Sequence, residues 1–516
     1  MSILLIFACS FSIEGQDTFH KLIYFDYPGV PSFRGVHPTD SCYYVVGNTT
    51  DSTFTSVVIF AKVDLEGELL FHKYLQYPGT DYYNTYSDLS GTPNGNLLTC
   101  GDAWGDEGLA QLRIFDTNGD TLLTKGFKNL NFPDQIHEVA LEIRQNEKGG
   151  YAMLISFQAD DSPTDIDISL IVLDSLFQTE FYKNYASSST DEISNSLIVD
   201  DDGGYLIGAK RTNEADVQLN FNCRTLIVKV DSMGGQAWQW LSPPGVLQDE
   251  AKAMIKTPDG GLVVASGIGQ EIGNNPNIHT LVWDAMIFKL DADRNVVWST
   301  PFRGDLPTGG TELTEMVEAP DGSGYVASGI FLEYISDVEW YHTSWLVKVS
   351  PEGDSLWSRR YTYFNGEFVA PEVFDMKATP DGGYVLVGFT VNQYDVITNP
   401  IVPAWIMKVD SFGCLIPGCH LDDDTTSVVG DLEKWAELVI YPNPVRDYLN
   451  FQLKGQNLKW ASYRIINAEG EVMEFIESAS PESTISVPVQ NWPGGVYFLQ
   501  YLEEGDVRLS HTFIKH

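Results

Sequence analysis

The sequence predicts an all-β chain, a seven-bladed β-propeller followed by a small Ig-like β-sandwich, and three observations carry that prediction. One phrase recurs along the chain: TPDGGLVVASGI from Thr257, APDGSGYVASGI from Ala319 and TPDGGYVLVGFT from Thr379. A second phrase alternates with it, as DAMIFKLDADRNVVWSTPF from Asp284, TSWLVKVSPEGDSLWSRRY from Thr343 and PAWIMKVDSFG from Pro403. Within both, apolar residues come in short runs rich in Val, Ile, Tyr and Trp and punctuated by Asp-Gly or Gly-Gly, which is the pattern of strands joined in hairpins.

At the N-terminus, residues 1–15 include the apolar run SILLIFACSFSI followed by Glu14-Gly15, the pattern of a signal peptide cut near Gly15. Cys9 follows Ile6-Phe7-Ala8, but with only eight residues before it this is a poor lipidation site. No later run reaches the ~18 apolar residues of a membrane helix.

Residues 16–420 form the expected propeller. Looser versions of the first phrase lie upstream at PTDSCYYVVGN, TPNGNLLTCG, NEKGGYAMLIS and DDDGGYLIGAK, giving seven copies with a period of about 57 residues, inside the range of propeller repeats. One unit reads as strand A, a PDGG turn, strand B, a variable loop, strand C ending in Lys-Val-Asp, a tight turn, and strand D carrying Trp or Phe; four such strands make a blade. The seventh copy stops after Lys408-Val409-Asp410 and lacks a strand D. FHKLIYFDYPG from Phe19 resembles FHKYLQYPG from Phe71, the first blade's strand D, so the N-terminal strand is expected to complete the last blade and close the ring.

The 516 residues carry 71 acidic and 31 basic side chains, a formal net charge of -40. Such a surface repels nucleic acid and anionic lipid and excludes both as partners of choice. Loose Ca2+ binding is the one cofactor that the acidity suggests, and no other cofactor signature is legible. Five of the six cysteines lie beyond the leader. Cys414 and Cys419 flank a Pro-Gly turn and suit a local disulfide in an oxidising compartment; the rival use, a metal site with His420, has only three ligands in view. Cys42, Cys100 and Cys223 sit in or beside strands and read as small buried side chains.

Residues 421–436 are acidic and poor in large apolar residues, an exposed linker. The Asp422-Asp423-Asp424 run lacks the Gly and distal Glu of an EF-hand loop. Residues 437–516 alternate strands with Asn-Ala-Glu-Gly and Pro-Gly-Gly turns, the signature of a small antiparallel sandwich. They contain Tyr441-Pro442-Asn443-Pro444 with Asp447 and Leu449, a turn at Glu469-Gly470, then Gly495-Val496-Tyr497, and a basic last strand ending Phe513-Ile514-Lys515. This combination resembles the C-terminal sorting domain carried by substrates of the type IX secretion (Por) system of Gram-negative bacteria. The resemblance implies an address read at the outer membrane and a secreted or surface-attached protein, with the secretion machinery as partner. The propeller, with its GCLIPGC junction, is similar to the propeller-repeat proteins that precede such domains.

Glu250, Glu312 and Glu372 each stand nine residues before the turn Asp, and Glu138 and Glu192 join them if one residue bulges. On the innermost strand these carboxylates are expected at one mouth of the channel, where bunched acids raise one another's pKa or recruit a cation. Repetition argues for a structural duty instead, such as accepting N–H bonds from a neighbouring strand. Trp238, Trp298 and Trp357 recur at one strand-D position and read as core. The B-to-C connections of blades five to seven lengthen and carry Trp283, Tyr334, Trp340, Tyr341, His342 and Tyr394, aromatics beside acids that suit sugar or protein contacts. No HExxH, GxSxG or phosphate-binding loop appears, so no catalytic set is legible. The leading expectation is a secreted binding or scaffolding propeller for a glycan or protein ligand; the alternative is a polysaccharide hydrolase or lyase using funnel carboxylates.

Overall fold

The computed structural model describes residues 16–515 apart from 26–28, 30, 51–55, 76–81, 105–108, 129–136, 159–165, 186–189, 214–222, 244–249, 273–279, 303–309, 337–338, 362–371, 391–402, 417–418, 423–435, 442–444, 456–460, 468–471, 480–483 and 504–505. The expected leader and nearly all of the acidic linker lie outside the described residues. The chain divides into two compact units, 1–420 and 421–516.

In the first unit the described residues form seven four-stranded antiparallel sheets. After β1 (Phe19–Ile23), the first sheet is β2 (Ser32–Pro38), β3 (Tyr43–Thr50), β4 (Ser56–Val63) and β5 (Leu69–Leu75). The second is β6 (Tyr82–Gly91), β7 (Leu97–Trp104), β8 (Leu109–Phe115) and β9 (Thr121–Phe127); the third is β10 (His137–Gln145), β11 (Tyr151–Gln158), β12 (Ile166–Leu173) and β13 (Thr179–Asn184). The fourth is β14 (Thr190–Val199), β15 (Tyr205–Asn213), β16 (Cys223–Val230) and β17 (Gln236–Leu241), and the fifth β18 (Ala253–Lys256), β19 (Leu262–Ile272), β20 (Thr280–Leu290) and β21 (Val296–Phe302). The sixth is β22 (Thr311–Glu318), β23 (Tyr325–Ser336), β24 (Glu339–Val349) and β25 (Ser355–Tyr361). The last holds β26 (Glu372–Ala378), β27 (Tyr384–Phe389) and β28 (Ala404–Val409), and its fourth strand is β1. Each sheet is a meander of neighbours in sequence, the blade of a β-propeller.

The two recurrent phrases meet inside each blade. The strand-C lysine reaches back to the Asp of the PDGG turn: Lys289 Nζ lies 2.6 Å from Asp259, Lys408 Nζ 2.8 Å from Asp381 and Lys229 Nζ 2.6 Å from Asp202. The Asp that ends strand C caps the next turn with its side chain. Asp231 Oδ1 accepts from the N–H groups of Met233 (2.9 Å) and Gly235 (2.7 Å), and Asp410 Oδ1 from those of Phe412 (2.9 Å) and Cys414 (2.7 Å). Such Asx turns satisfy backbone donors that a tight hairpin leaves over. Three residues past the capping residue the backbone turns left-handed, and a glycine there lets the preceding blade approach. A Cβ on Gly353 (φ 93°) would stand 2.5 Å from the Trp298 ring, and one on Gly413 (φ 71°) 2.9 Å from Trp357. Those tryptophans are therefore packing residues between blades, and Trp298 Nε1–H also donates to Pro351 O at 3.1 Å.

Closure of the ring uses the same joints. β1 runs antiparallel to β28, with Phe19 opposite Lys408 and Ile23 opposite Ala404. Phe19 packs against Gly67 as Trp298 packs against Gly353. Lys21 Nζ pairs with Glu68 at 2.6 Å, just as Lys73 of the first sheet pairs with Asp120 of the second at 2.6 Å. Buried residues of the first and last sheets, among them Val36, Val45, Ile59, Val387, Ala404 and Ile406, form one hydrophobic cluster with Phe19 and Ile23. The segment before β1 is pinned as well: Thr18 Oγ1 donates to Leu415 O at 2.6 Å, and Ser411 N–H to Gln16 Oε1 at 2.7 Å. Leu415 sits inside the loop closed by the Cys414–Cys419 disulfide.

The second unit holds β29 (Ala436–Tyr441), β30 (Tyr448–Gly455), β31 (Ala461–Asn467), β32 (Val472–Ala479), β33 (Ile485–Pro488), β34 (Gly495–Glu503) and β35 (Asp506–Lys515). They form two sheets, β29-β30-β33 and β32-β31-β34-β35. A cluster including Leu449, Phe451, Tyr463, Val487, Tyr497, Leu499 and Phe513 fills the sandwich core. Among the described residues no helix is long and apolar enough to cross a membrane.

Candidate functional site

The first strands of the blades line the ring axis: each is the edge strand of its own sheet and packs against the first strands of the neighbouring blades. In six of them the ladder to the second strand slips by a residue, between Phe33/Gly35, Thr85/Ser87, Ala140/Glu142, Ser194/Ser196, Leu313/Glu315 and Val373/Asp375. A bulge bends the strand and re-aims the side chains beyond it. In three blades the residue just past the slip is a carboxylate: Glu142, Glu315 and Asp375. Asp375 Oδ2 accepts the Val36 N–H of the first blade at 2.8 Å, and Glu142 Oε2 accepts the Leu197 N–H of the fourth. Each thereby joins two blades by a buried hydrogen bond from a backbone N–H, worth about 1 kcal/mol net and costlier to leave unmade.

Beside these acids lies a cavity of about 310 Å³, lined by Glu142, Arg144, Asn195, Lys252 and Glu315 together with Met254 and Met316. Arg144 Nη2 pairs with Glu142, Lys377 Nζ with Asp375 at 2.7 Å, and Lys252 Nζ bridges Glu250 and Glu312 at 2.8 Å each. Burial holds the Glu142 carboxyl well above the usual carboxylate range, with Glu315 adding to the rise. Burial likewise pushes Glu315 up to about 7, where Lys377 and Arg144 oppose the rise and Asp375 adds to it. Glu142, Glu315 and Asp375 belong to the third, sixth and last sheets, so their mutual influence crosses the ring.

The five acids singled out in the sequence do not gather as one ring. Glu250, Glu312 and Glu372 come together. Burial works to raise Glu250, but Lys252 and Lys210 outweigh it and hold it below its ordinary range; burial raises Glu372, with Arg34 opposing and Glu312 adding. Glu192 is instead fully buried in an ion pair with Arg211 on the adjacent strand, Nε to Oε1 2.8 Å. Glu138 is buried beside Tyr182 of the outer strand β13, whose phenol is raised by burial and then by Glu138. The reason is register: the third and fourth blades slip at the same place as the sixth and last, so Glu138 and Glu192, ten residues before the turn position instead of nine, stay on the opposite face of the strand. The signal was nonetheless present: Glu142, Glu315 and Asp375 stand six residues before Lys148, Asp321 and Asp381 of the turns.

Over the described residues, the lengthened connections of the fifth and sixth blades are paired strand and not loop. β19 and β20 run for 11 residues each, and β23 and β24 for 12 and 11. Trp283 is paired with Gly269, Tyr334 with Trp340, Glu333 with Tyr341 and Leu332 with His342. Hydrophobic runs that read as long variable loops therefore extend two hairpins. Tyr394 lies outside the described residues.

At the end of the propeller, Asp410, Cys414 and His420 lie close enough to suggest metal ligands. The disulfide removes the Cys414 thiolate, and the His420 ring stacks on Phe412 with centroids 3.6 Å apart. Cys42, Cys100 and Cys223 are buried free thiols.

In the second unit, Pro442, Asn443 and Pro444 lie outside the described residues, and Tyr441 ends β29 opposite Asn450. Asp447 is exposed, and its carbonyl accepts the Val489 N–H at 2.8 Å. Gly495 pairs with Lys515, which also bridges to Val445. Tyr497 is buried, stacks on Phe513 and donates its hydroxyl to Pro493 O at 2.8 Å. The motif residues in view thus tie the two ends of the sandwich together.

No curated protein sequence matches the chain. Among solved structures, it is similar to an α-L-arabinanase of Penicillium chrysogenum at 11% identity and TM-score 0.41, over 76% of this chain and 99% of that one. It is also similar to Drosophila Semaphorin 1a, extracellular domains 1-2, at 8% identity and TM-score 0.42, over 86% of this chain and 96% of that one. The β-propeller domain of the Trilobed protease from Pyrococcus furiosus aligns at 9% identity and TM-score 0.36, over 70% of this chain and 96% of that one. The propeller assignment rests on the sheet topology itself. Residues 439–516 match the family model of the secretion system C-terminal sorting domain, and the chain that carries this tail is a type IX secretion cargo, secreted or held at the cell surface.

Proposed function

We propose that the exported propeller is a binding or scaffolding module whose recognition edge is the pair of long hairpins β19–β20 and β23–β24, with a glycan or a protein segment as ligand. One observation carries this reading: these four strands have 11 or 12 residues and bear Trp283, Tyr334, Trp340, Tyr341 and His342. The second and third strands of the other blades stop at six to nine residues. Aromatic side chains offer large contact area at low entropic cost, which suits sugar rings and extended peptides alike. The sorting tail supplies delivery and the propeller supplies the cargo's work. Glycan and peptide arrays probed with the full chain test the reading, with Trp340→Ala and Tyr334→Ala as variants. Binding that both variants weaken at least tenfold supports it; binding that neither alters overturns the edge assignment.

A second reading, a hydrolase or lyase acting on polysaccharide, is favoured by one feature, the Glu315 carboxyl near 7 beside Glu142 in an open cavity. A general acid poised near neutrality is what such chemistry needs. Release of reducing sugar that Glu315→Gln abolishes would establish it, and array binding without turnover would exclude it.

A further inference from the structure

The axial cavity has a charge imbalance that the propeller itself does not resolve. Four cations line it or pair with the acids around it, and each has its anion: Arg144 with Glu142, Lys377 with Asp375, Lys252 with both Glu250 and Glu312, and Lys210 with Glu250 at 4.0 Å. Glu315 is different. It lines the cavity and, among the described residues, makes no ion pair within 4.0 Å. Five carboxylates, Glu142, Glu250, Glu312, Glu315 and Asp375, thus stand against four cations, Arg144, Lys210, Lys252 and Lys377, and Glu315 is the one left without an ion pair among the described residues.

We propose that this cavity binds a small organic cation, a primary amine of the size of an amino sugar or a short diamine, with Glu315 receiving its ammonium group and Asn195 and Glu142 receiving its other donors. The inference does not depend on the hairpin edge. An anion is disfavoured because every cation in the cavity is already paired. A divalent metal is disfavoured because Ca2+ takes 6–8 oxygen ligands and one uncommitted carboxylate cannot supply them. An ammonium needs only one carboxylate and a few acceptors, and at about 310 Å³ the cavity lies at the small end of ligand sites, ~300–1,000 Å³. The strongly acidic surface would concentrate cations near its mouth.

Binding is coupled to protons through the groups that face Glu315: Glu142 and Arg144 from β10, Asp375 and Lys377 from β26, and Lys252 on the wall between. An ammonium ligand needs Glu315 ionised, so the affinity for a diamine that stays protonated rises about tenfold from pH 6 to pH 8, while for an amino sugar, whose amine loses its proton within this range, the rise is smaller.

The test is calorimetric titration of the full chain with glucosamine and with putrescine, using glucose and calcium chloride as comparisons, at pH 6, 7 and 8. The expected result is saturable amine binding at least tenfold tighter than glucose, with proton release at pH 7 and an at least tenfold loss in Glu315→Gln. Proton release, read from the wild type in two buffers of different ionisation heat, needs no variant and stands if Glu315→Gln fails to fold. Equal affinity for glucose and glucosamine, preference for calcium, absence of saturable amine binding, or undiminished binding in Glu315→Gln would each overturn the proposal. Because glucosamine and putrescine are free monomers, these outcomes are distinct from failure of the hairpin edge on an array.

Discussion

The outer hairpins and the axial strands of the same blades obey different rules. At the periphery most blades reuse one solution: a lysine on a turn aspartate, a side-chain cap on the next turn, a left-handed residue that is usually glycine, and packing from the blade before. At the axis the register repeats while the chemistry does not, for the residue beyond the bulge is Gly35, Ser87, Glu142, Ser196, Glu315 or Asp375. A repeated residue answers a need shared by all blades, namely turn closure and blade-to-blade packing. A position that repeats while its residue varies is free to answer needs that arise once in the ring. The axial cavity is such a place, and its Glu315, raised by burial and in no ion pair among the described residues, has no counterpart in the hairpins.

The sharpest way to break this comparison is to remove the one joint at which periphery and closure coincide. Deleting residues 16–23 strips the buried strand β28 of its partner and exposes the pockets of Phe19 and Ile23. The expected loss is on the order of 5 kcal/mol or more, from two buried apolar side chains and a five-residue ladder. Denaturant unfolding checks it, and a synthetic peptide of residues 16–25 added in trans should restore most of the loss. A deletion that melts like the parent would mean that the ring holds without its latch.

Next in size, the axial acid that joins two blades should matter more than any peripheral ion pair. Asp375→Ala leaves the Val36 N–H and the Lys377 ammonium without their partner in a buried site, for an expected cost of about 3–5 kcal/mol. Lys289→Met at the periphery breaks a bridge to an aspartate whose side chain is 57% exposed, and its cost should stay within about 1 kcal/mol. Urea unfolding of both variants ranks them. Equal costs would dissolve the distinction between axis and periphery.

Much of this was legible in the sequence, and the division between what was and was not follows the same line. The hairpin grammar gave the blades, and the likeness of Phe19-His20-Lys21 to Phe71-His72-Lys73 gave the closure, because both phenylalanines stand opposite a strand-C lysine and both lysines pair with an acid in the next blade's turn. The tail was legible because its turns and its Gly495, Tyr497 and Lys515 are core and seam residues of a small sandwich. The axial acids were misplaced because Glu138 and Glu192 were allowed a compensating bulge, whereas the slip they have is the one all these blades share and leaves them one residue out of register with Glu312 and Glu372. The long hairpins were read as loops because Asn, Asp and Pro near their tips resemble turn composition, whereas strand pairing carries through Ile272 and Ser336.

A smaller effect should appear in the pH dependence. The Glu315 carboxyl titrates near 7 in the folded chain against roughly 4.3 when unfolded, so the folded state holds its proton more tightly. Its contribution is present in full below about pH 4.3 and is lost as pH rises towards 7. Between these values the parent should lose on the order of 2 kcal/mol relative to Glu315→Gln, which carries no titrating group there. Melting curves of the two proteins at pH 4.5, 6 and 7.5 read the difference. Peripheral acids such as Asp381 and Asp200, held below their ordinary range by lysines, behave in the opposite sense and lose their contribution only in acid. A parent and variant that run parallel across this range would mean that Glu315 is not a buried axial acid.

The smallest effect tests whether the repeated turn is as uniform as it looks. Five blades place glycine at the left-handed position, but the third and fifth place Phe177 (φ 60°) and Arg294 (φ 69°) there. In each exception the side chain supplies a contact in return: Phe177 stacks on Tyr151 with centroids 5.0 Å apart, and the Arg294 guanidinium lies 5.0 Å from the Trp238 ring centroid. Arg294→Gly would relieve about 1 kcal/mol of backbone strain, lose a cation–π contact of about 0.5–1 kcal/mol and add unfolded-state freedom. The net change should fall within about 0.5 kcal/mol of zero. The reverse change, Gly353→Ala, sets a Cβ 2.5 Å from the Trp298 ring at φ 93° and should cost at least 2 kcal/mol. Chemical denaturation of the pair decides it: if both substitutions cost the same, the space before the turn, and not the side chain that fills it, would no longer explain why two blades depart from glycine.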